Sequence, residues 1–288
     1  MPLDQRIIDL YDEYTHRPLP RRIFLERLAI LAGSGGAATA ALAVLEPNYA
    51  RAALVPDADA RIKAERVKTS VGGVEVAGYL AAPASGGKAP GVLVIHENRG
   101  LNAHIEDVTR RFAVAGFVAL GLDFLTPLGG TPQDADKARE AFSKLSGESV
   151  VSQARAAIEL LKADPRCNGK VGAVGFCWGG GMVNIIATRL PELGAGVAFY
   201  GVAPPPEAVP NIKAPMLLHF AGLDTRVNAG MEGYDKALKA AGVPHQIFVY
   251  EGVNHAFHND TSAERYNKEA ATLAFDRTVE FLRQNLGA

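Results

Sequence analysis

The run KVGAVGFCWGGGMVN, residues 170–184, limits the fold more than any other stretch of the chain. A compact apolar segment ends at Cys177, and three consecutive glycines, Gly179, Gly180 and Gly181, open what reads as a helix. Small residues two before and two after a central nucleophile, here Gly175 and Gly179, are what a sharp strand-to-helix turn requires, because the two backbones come too close for a Cβ. Such a turn exposes the central side chain and aims the N–H groups of the helix start, Trp178 first, at whatever bonds to it. The helix dipole favours a thiolate in the same place. An inert core thiol is the commoner fate of a lone cysteine, but it leaves the glycines on both sides unexplained. A dinucleotide fingerprint fits worse, since G-x-x-x-G-G-G is not G-x-G-x-x-G.

The surrounding pattern agrees with a strand-turn-helix unit. From about Arg61, short β-branched apolar runs alternate with longer amphipathic stretches. Strands are expected at 65–69, 74–81, 91–96, 117–122, 171–176, 195–200, 216–221 and 246–250. Helices are expected near 105–115, 134–145, 150–163, 180–189, 230–241 and 263–285. The fold class is therefore α/β: a mostly parallel sheet with helices on both faces, entered by an antiparallel hairpin around Val71-Gly72-Gly73. Ligands of such sheets bind at the carboxyl ends of the strands.

At 288 residues with 48% hydrophobic residues, the chain can bury one α/β domain of this size with residues to spare. A net charge of -1 provides no basic field for nucleic acid, so the expected partner is a small molecule. Cys167 and Cys177 have neither disulfide-scaffold nor metal-finger spacing.

Residues 1–52 differ in character. Pro20-Arg21-Arg22-Ile23-Phe24-Leu25, then AILAGSGGAATAALAVL and a small-x-small site at residues 50–52, reads as a twin-arginine export signal. That reading predicts passage through the export machinery to the periplasm or beyond, and leaves 53–288 as the working domain. The alternative is an amphipathic N-terminal helix docked on the domain or on a partner chain, in a cytoplasmic protein. Asp4, Asp9, Asp12 and Glu13, ahead of the arginine pair, are unusual for a signal. The apolar part is too short and glycine-rich for a stable membrane span.

A thiol nucleophile needs a base and an orienter, and this architecture delivers them in the order nucleophile, acid, histidine. Asp224, in AGLDTRV, and His255, in YEGVNHAFHND, each come just after an expected strand and fall in that order after Cys177. Asp224 could instead be a helix cap, and His258 competes with His255. His16, His104 and His245 lack a strand-end context, and His219 lies inside a strand. Glu97, after the strand in LVIHENRGLN, shares the rim with Cys177.

These residues resemble the dienelactone hydrolase family of the α/β-hydrolase superfamily, the carboxymethylenebutenolidase-like branch that uses cysteine in place of serine. The likeness covers roughly 64–286 and is carried by G-x-C-x-G-G (Gly175, Cys177, Gly179, Gly180), the preceding NGKVG, ALGLDFLTPLGGTPQD and the NHAF around His255. It implies Cys177 as nucleophile, His255 as base, Asp224 as orienter and Glu97 as the carboxylate that interacts with the resting thiol. It also implies the N–H groups of Asn98 and Trp178 as oxyanion donors. Of the family's carboxylate-binding groups, Arg139 matches the first arginine, Phe142 or Ser143 stands at the tyrosine place, and Asn259 replaces the second arginine. Losing that cation removes a charge-assisted contact of about 1.5–3 kcal/mol and argues against dienelactone itself as the substrate. Tyr200, in the YGV after the sixth strand, points to a reshaped pocket rim.

The expected activity is hydrolysis of an ester or lactone through an acyl-thioester on Cys177, without metal or organic cofactor. Two rivals are a redox-sensing or ligand-binding protein with a reactive Cys177, and metal-dependent hydrolysis through His255, His258 and Asp260.

Overall fold

The computed structural model describes residues 3–49 and 54–287. The expected cleavage site at residues 50–52 lies outside them. Eight strands form one sheet: β1 (Ile62–Val71), β2 (Val74–Pro83), β3 (Ala89–Ile95), β4 (Val118–Leu122), β5 (Cys167–Phe176), β6 (Ala195–Phe199), β7 (Met216–Ala221) and β8 (His245–Tyr250). Their spatial order is β1-β2-β4-β3-β5-β6-β7-β8. The β1–β2 hairpin joins antiparallel to β4, and the remaining pairs are parallel. All eight expected strands are present; apolar runs such as 92–95 of β3 and 216–218 of β7 fit strands buried on both faces, whereas β1 and β8 at the two edges are largely exposed or half-buried.

Alternation along the strands builds two cores. Leu93 and Ile95 of β3 join one, while Val92 and Val94 join the other. On the first face pack α6 (Gly147–Ala163), α7 (Trp178–Arg189) and α9 (Met231–Ala240). On the second pack α4 (Ala103–Val114) and α10 (Lys268–Leu286). The last helix starts five residues later than expected, at an Asn267 cap whose side chain accepts from Ala270 N–H. Two shorter helices, α5 (Ala135–Phe142) and α8 (Thr225–Asn228), stand at the carboxyl rim of the sheet.

The N-terminal residues form three helices, α1 (Gln5–His16), α2 (Arg21–Ala32) and α3 (Gly35–Leu45), where the sequence suggested either a signal or one long helix. Two prolines at 18 and 20 hold the chain extended after α1, and Gly33 at φ 81 terminates α2. The three helices share a core of their own: Ile7, Tyr11 and Tyr14 of α1 against Phe24, Leu28 and Leu45, with Tyr14 and Phe24 stacked at 4.1 Å. This small bundle lies on the α/β domain. Arg99 donates to Tyr11 Oη at 2.8 Å, Gln5 to Asn254 at 2.6 Å, Asn48 N–H to Thr261 at 2.8 Å and Ser262 Oγ to the Leu45 carbonyl at 3.1 Å. Among the described residues no single helix is long and apolar enough to cross a membrane; α2 and α3 together pass by length and composition but are bent by 109°.

Candidate active site

Cys177 stands at the apex between β5 and α7, with φ 57 and ψ −114. The glycines around it have no room for side chains: a Cβ on Gly175 would lie 2.1 Å from the Gly179 carbonyl oxygen, and one on Gly179 would lie 2.4 Å from that of Ile95. Phe199 accepts from Cys177 N–H at 3.0 Å and fixes the turn against β6. The three non-glycine residues at positive φ among those described are Cys177, Tyr200 and Ala256, the nucleophile candidate, the residue after β6 and the neighbour of His255. Backbone strain is thus gathered at one rim, where strained residues commonly serve function.

His255 and Asp224 converge there. His255 Nδ1 lies 2.5 Å from Asp224 Oδ2, and both residues are buried. Because the carboxylate can only accept, Nδ1 carries the proton and Nε2 is left as the basic nitrogen. That Nε2 is buried and has no hydrogen-bond partner among the described residues. Burial pushes the Asp224 carboxyl upward, but the hydrogen bond and charge of His255 and the Val227 N–H outweigh it and leave its pKa below the usual value. Asp224 also caps α8 through that same N–H at 3.0 Å, so the alternative reading of this residue as a helix cap holds alongside its place beside His255.

The rival histidine is elsewhere. His258 is buried against Phe176 and Phe275 and is not in the group of donor atoms around the thiol, and Asp260 is engaged with His104 at 2.9 Å and with Arg111. His255, His258 and Asp260 are therefore not a set converging on one ion. His219 is a core residue between Tyr250 and Thr278, and burial holds its pKa down at about 3.

Glu97 is buried at the rim, but its Oε2 accepts from Asn259 at 2.7 Å and its Oε1 has no partner. The hydrogen-bond partner of the thiol is His16, whose Nε2 lies 3.0 Å from Cys177 Sγ. In the sequence this histidine lacks a strand-end context, and it is 161 positions from the cysteine that it meets in the fold. The one available signal was Asp12 and His16 four apart on an amphipathic helix. Donor atoms of His16, Cys177 and His255 lie within 4.8 Å of one another, a crowding dense enough in nitrogen and sulfur to close on a soft cation.

A cavity of about 970 Å³ opens onto Cys177. One wall is the segment Tyr14 to Arg21 and another is α5, with Trp178, Tyr200 and Val202 beneath. Phe142 lines it and packs on Trp178 at 4.7 Å. Tyr200 lines it with its hydroxyl buried and unpartnered, its ring 4.8 Å from His255. Arg139 also reaches the cavity, but its guanidinium donates to the Tyr14 carbonyl, stacks over the Tyr14 ring at 4.1 Å and pairs with Asp136 at 3.6 Å. The cation expected to meet a substrate carboxylate is thus occupied by the N-terminal bundle. Asn98 likewise turns its side chain to the Thr15 carbonyl, at 2.7 Å.

A mixed eight-stranded sheet with a nucleophile elbow and an acid–histidine pair at its carboxyl rim defines the α/β-hydrolase fold. Residues 76–286 match the model of the dienelactone hydrolase family, and the chain belongs to that family. It is 31% identical to a Methylorubrum extorquens protein named "Putative carboxymethylenebutenolidase", over 93% of this chain and 96% of the other, a match that extends into the N-terminal segment. A Synechocystis protein of the same name is 34% identical over 74% of this chain and 93% of its own. Among solved structures, a Klebsiella pneumoniae protein titled "Putative Dienelactone Hydrolase" superposes with TM-score 0.70 at 26% identity, over 77% of this chain and 99% of that one.

Proposed function

We propose that the protein hydrolyses a carboxylic ester or lactone with Cys177 as nucleophile and an acyl-thioester as intermediate. The observation that carries this reading is the elbow: Cys177, strained and flanked by glycines that admit no Cβ, facing a histidine whose distal nitrogen is free. The Sγ thiolate attacks the carbonyl carbon, and the developing oxyanion is held by the N–H groups of Trp178 and Asn98. Expulsion of the alcohol leaves the acyl group on sulfur. Water, deprotonated by His255 Nε2 with Asp224 holding the ring, then attacks the thioester and releases the acid. A thiolate leaves a tetrahedral centre more readily than an ordinary alkoxide, so productive acylation favours activated esters and enol lactones. The aromatic floor of Phe142, Trp178 and Tyr200 favours a planar or unsaturated acyl part. With Asn259 and an engaged Arg139 at the carboxylate-binding places, an uncharged acyl part is favoured over one that carries a free carboxylate, as dienelactone does.

The test is turnover of an activated ester and of a dienelactone by the wild-type chain and by Cys177→Ala, with intact-mass detection of the adduct. The expected result is ester turnover with an acyl adduct on Cys177, both lost in the variant. Activity that survives the substitution would remove Cys177 from the role. Absence of both turnover and adduct, with rapid peroxide oxidation of the thiol, would favour redox sensing.

A further inference from the structure

The thiol has two histidines within reach, and each is part of an acid–histidine pair. His255 is held by Asp224 from the domain. His16 is held by its own helix: Nδ1 lies 2.8 Å from the Asp12 carbonyl oxygen and 3.1 Å from the Asp12 carboxylate. A carbonyl only accepts, so His16 Nδ1 carries the proton, and the lone pair on Nε2 faces Cys177 Sγ at 3.0 Å. Asp12 is in turn fixed by Arg226 Nε at 3.2 Å. The groups facing the His16 ring are therefore Asp12 and Thr15 on α1, Cys177 at the elbow and His255 with its ring edge-on at 4.6 Å, with Arg226 behind Asp12.

We infer that His16 is a catalytic residue and that the Asp12–His16 pair of the N-terminal helix takes the thiol proton during acylation, leaving His255 for deacylation. The inference rests on the reading of Cys177 as nucleophile. In acylation the Sγ–H proton passes to His16 Nε2, the thiolate forms the S–C bond, the C–O bond breaks, and the alkoxide leaves with the proton from His16. In deacylation water gives its proton to His255 Nε2 and its oxygen to the acyl carbon. The S–C bond breaks, the acid leaves, and the proton on His255 returns to the thiolate. The two half-reactions sum to ester plus water giving acid plus alcohol.

Position separates the two roles. His16 makes the hydrogen bond to sulfur, while His255 Nε2 makes none among the described residues and is left free to take a proton from water. Burial disfavours charge on His16, but the neighbouring sulfur and the Asp12 contact outweigh it, and its pKa is raised. The cavity remains open onto Cys177 with His16 in its wall, so α1 lies beside the nucleophile without sealing it.

The experiment is stopped-flow acylation of the full-length chain by p-nitrophenyl acetate, with intact mass of the quenched protein. His16→Gln is expected to slow the burst by about 10²–10⁴-fold while the adduct, once formed, hydrolyses within a few-fold of the wild-type rate. His255→Gln is expected to give a burst near the wild-type rate and an adduct that persists. Asp12→Asn should slow the burst by roughly tenfold and displace its pH profile, an effect that loss of packing alone would not produce; it also carries the test should His16→Gln fail to fold. A His16→Gln burst as fast as wild type, or faster, overturns the inference, as does a His255→Gln variant that loses the burst. If the wild type itself forms no adduct, the nucleophile reading falls, and the assignment of His16 falls with it.

Discussion

At the scale of single residues, the elbow makes a sharp distinction between glycines. A Cβ at Gly179 would strike the main-chain oxygens of Ile95 and His96 at 2.4 and 2.6 Å, and backbone cannot move aside as a side-chain tip can. Gly179→Ala should therefore displace α7 from β3, cost at least about 1–3 kcal/mol as overpacking does, and misplace Sγ enough to lower kcat/KM by about 10²-fold or more. Gly233 in α9 meets nothing within 4 Å. Gly233→Ala should leave activity unchanged and raise stability by about 0.5–1 kcal/mol, since alanine suits an exposed helix better. Denaturant titration and ester kinetics on both variants check this; a Gly179→Ala protein as stable and active as the parent would mean the elbow is looser than these distances imply.

At the scale of elements, the sheet was legible because the parallel strands carry short apolar runs, broken in β7 only by His219. Cys177, Asp224 and His255 were legible with it, because each stands just past the carboxyl end of such a run. Helix α1 was not legible as part of the site. Its buried face of Ile7, Ile8, Tyr11 and Tyr14 announces an amphipathic helix but not what it docks on, and Asp12 and His16 gain meaning only beside Cys177. The same gap hid the partner of Arg139, a carbonyl of α1. Docking of α1 should depend on pH from both sides. The raised pKa of His16 makes its contribution full below the unfolded value of about 6.5 and lost as pH rises through the folded value. Asp12 is lowered: burial opposes the charge, but His255, His16 and Arg226 outweigh it, so its contribution is present above about 3.9 and lost in acid. Hydrogen–deuterium exchange, corrected for intrinsic rates, should show α1 several-fold better protected at pH 6 than at pH 9. Protection of α9 should not share that trend. Equal protection of α1 at both pH values would remove His16 as a contributor to docking.

At the scale of the whole molecule, export with cleavage and a site completed by His16 make opposite demands on residues 1–52. Cleavage at 50–52 would remove Asp12 and His16, the wall of the cavity from Tyr14 to Arg21 and the small core built on Phe24 and Leu28. The arginine pair is also not free in the folded chain: Arg21 bonds Asp136 of the domain at 2.5 Å, while Arg22 pairs with Glu26 and stays exposed. A receptor reading both arginines would first have to lift Arg21 off the domain. The expected outcome is that protein purified from its native host keeps its N-terminus, with an intact mass matching the chain from Met1 or Pro2. A mature form beginning at residue 53 would support the export reading. If that shortened form also showed wild-type acylation of Cys177, His16 would have no part in the chemistry, and α1 would be a leader that folds against the site until it is removed.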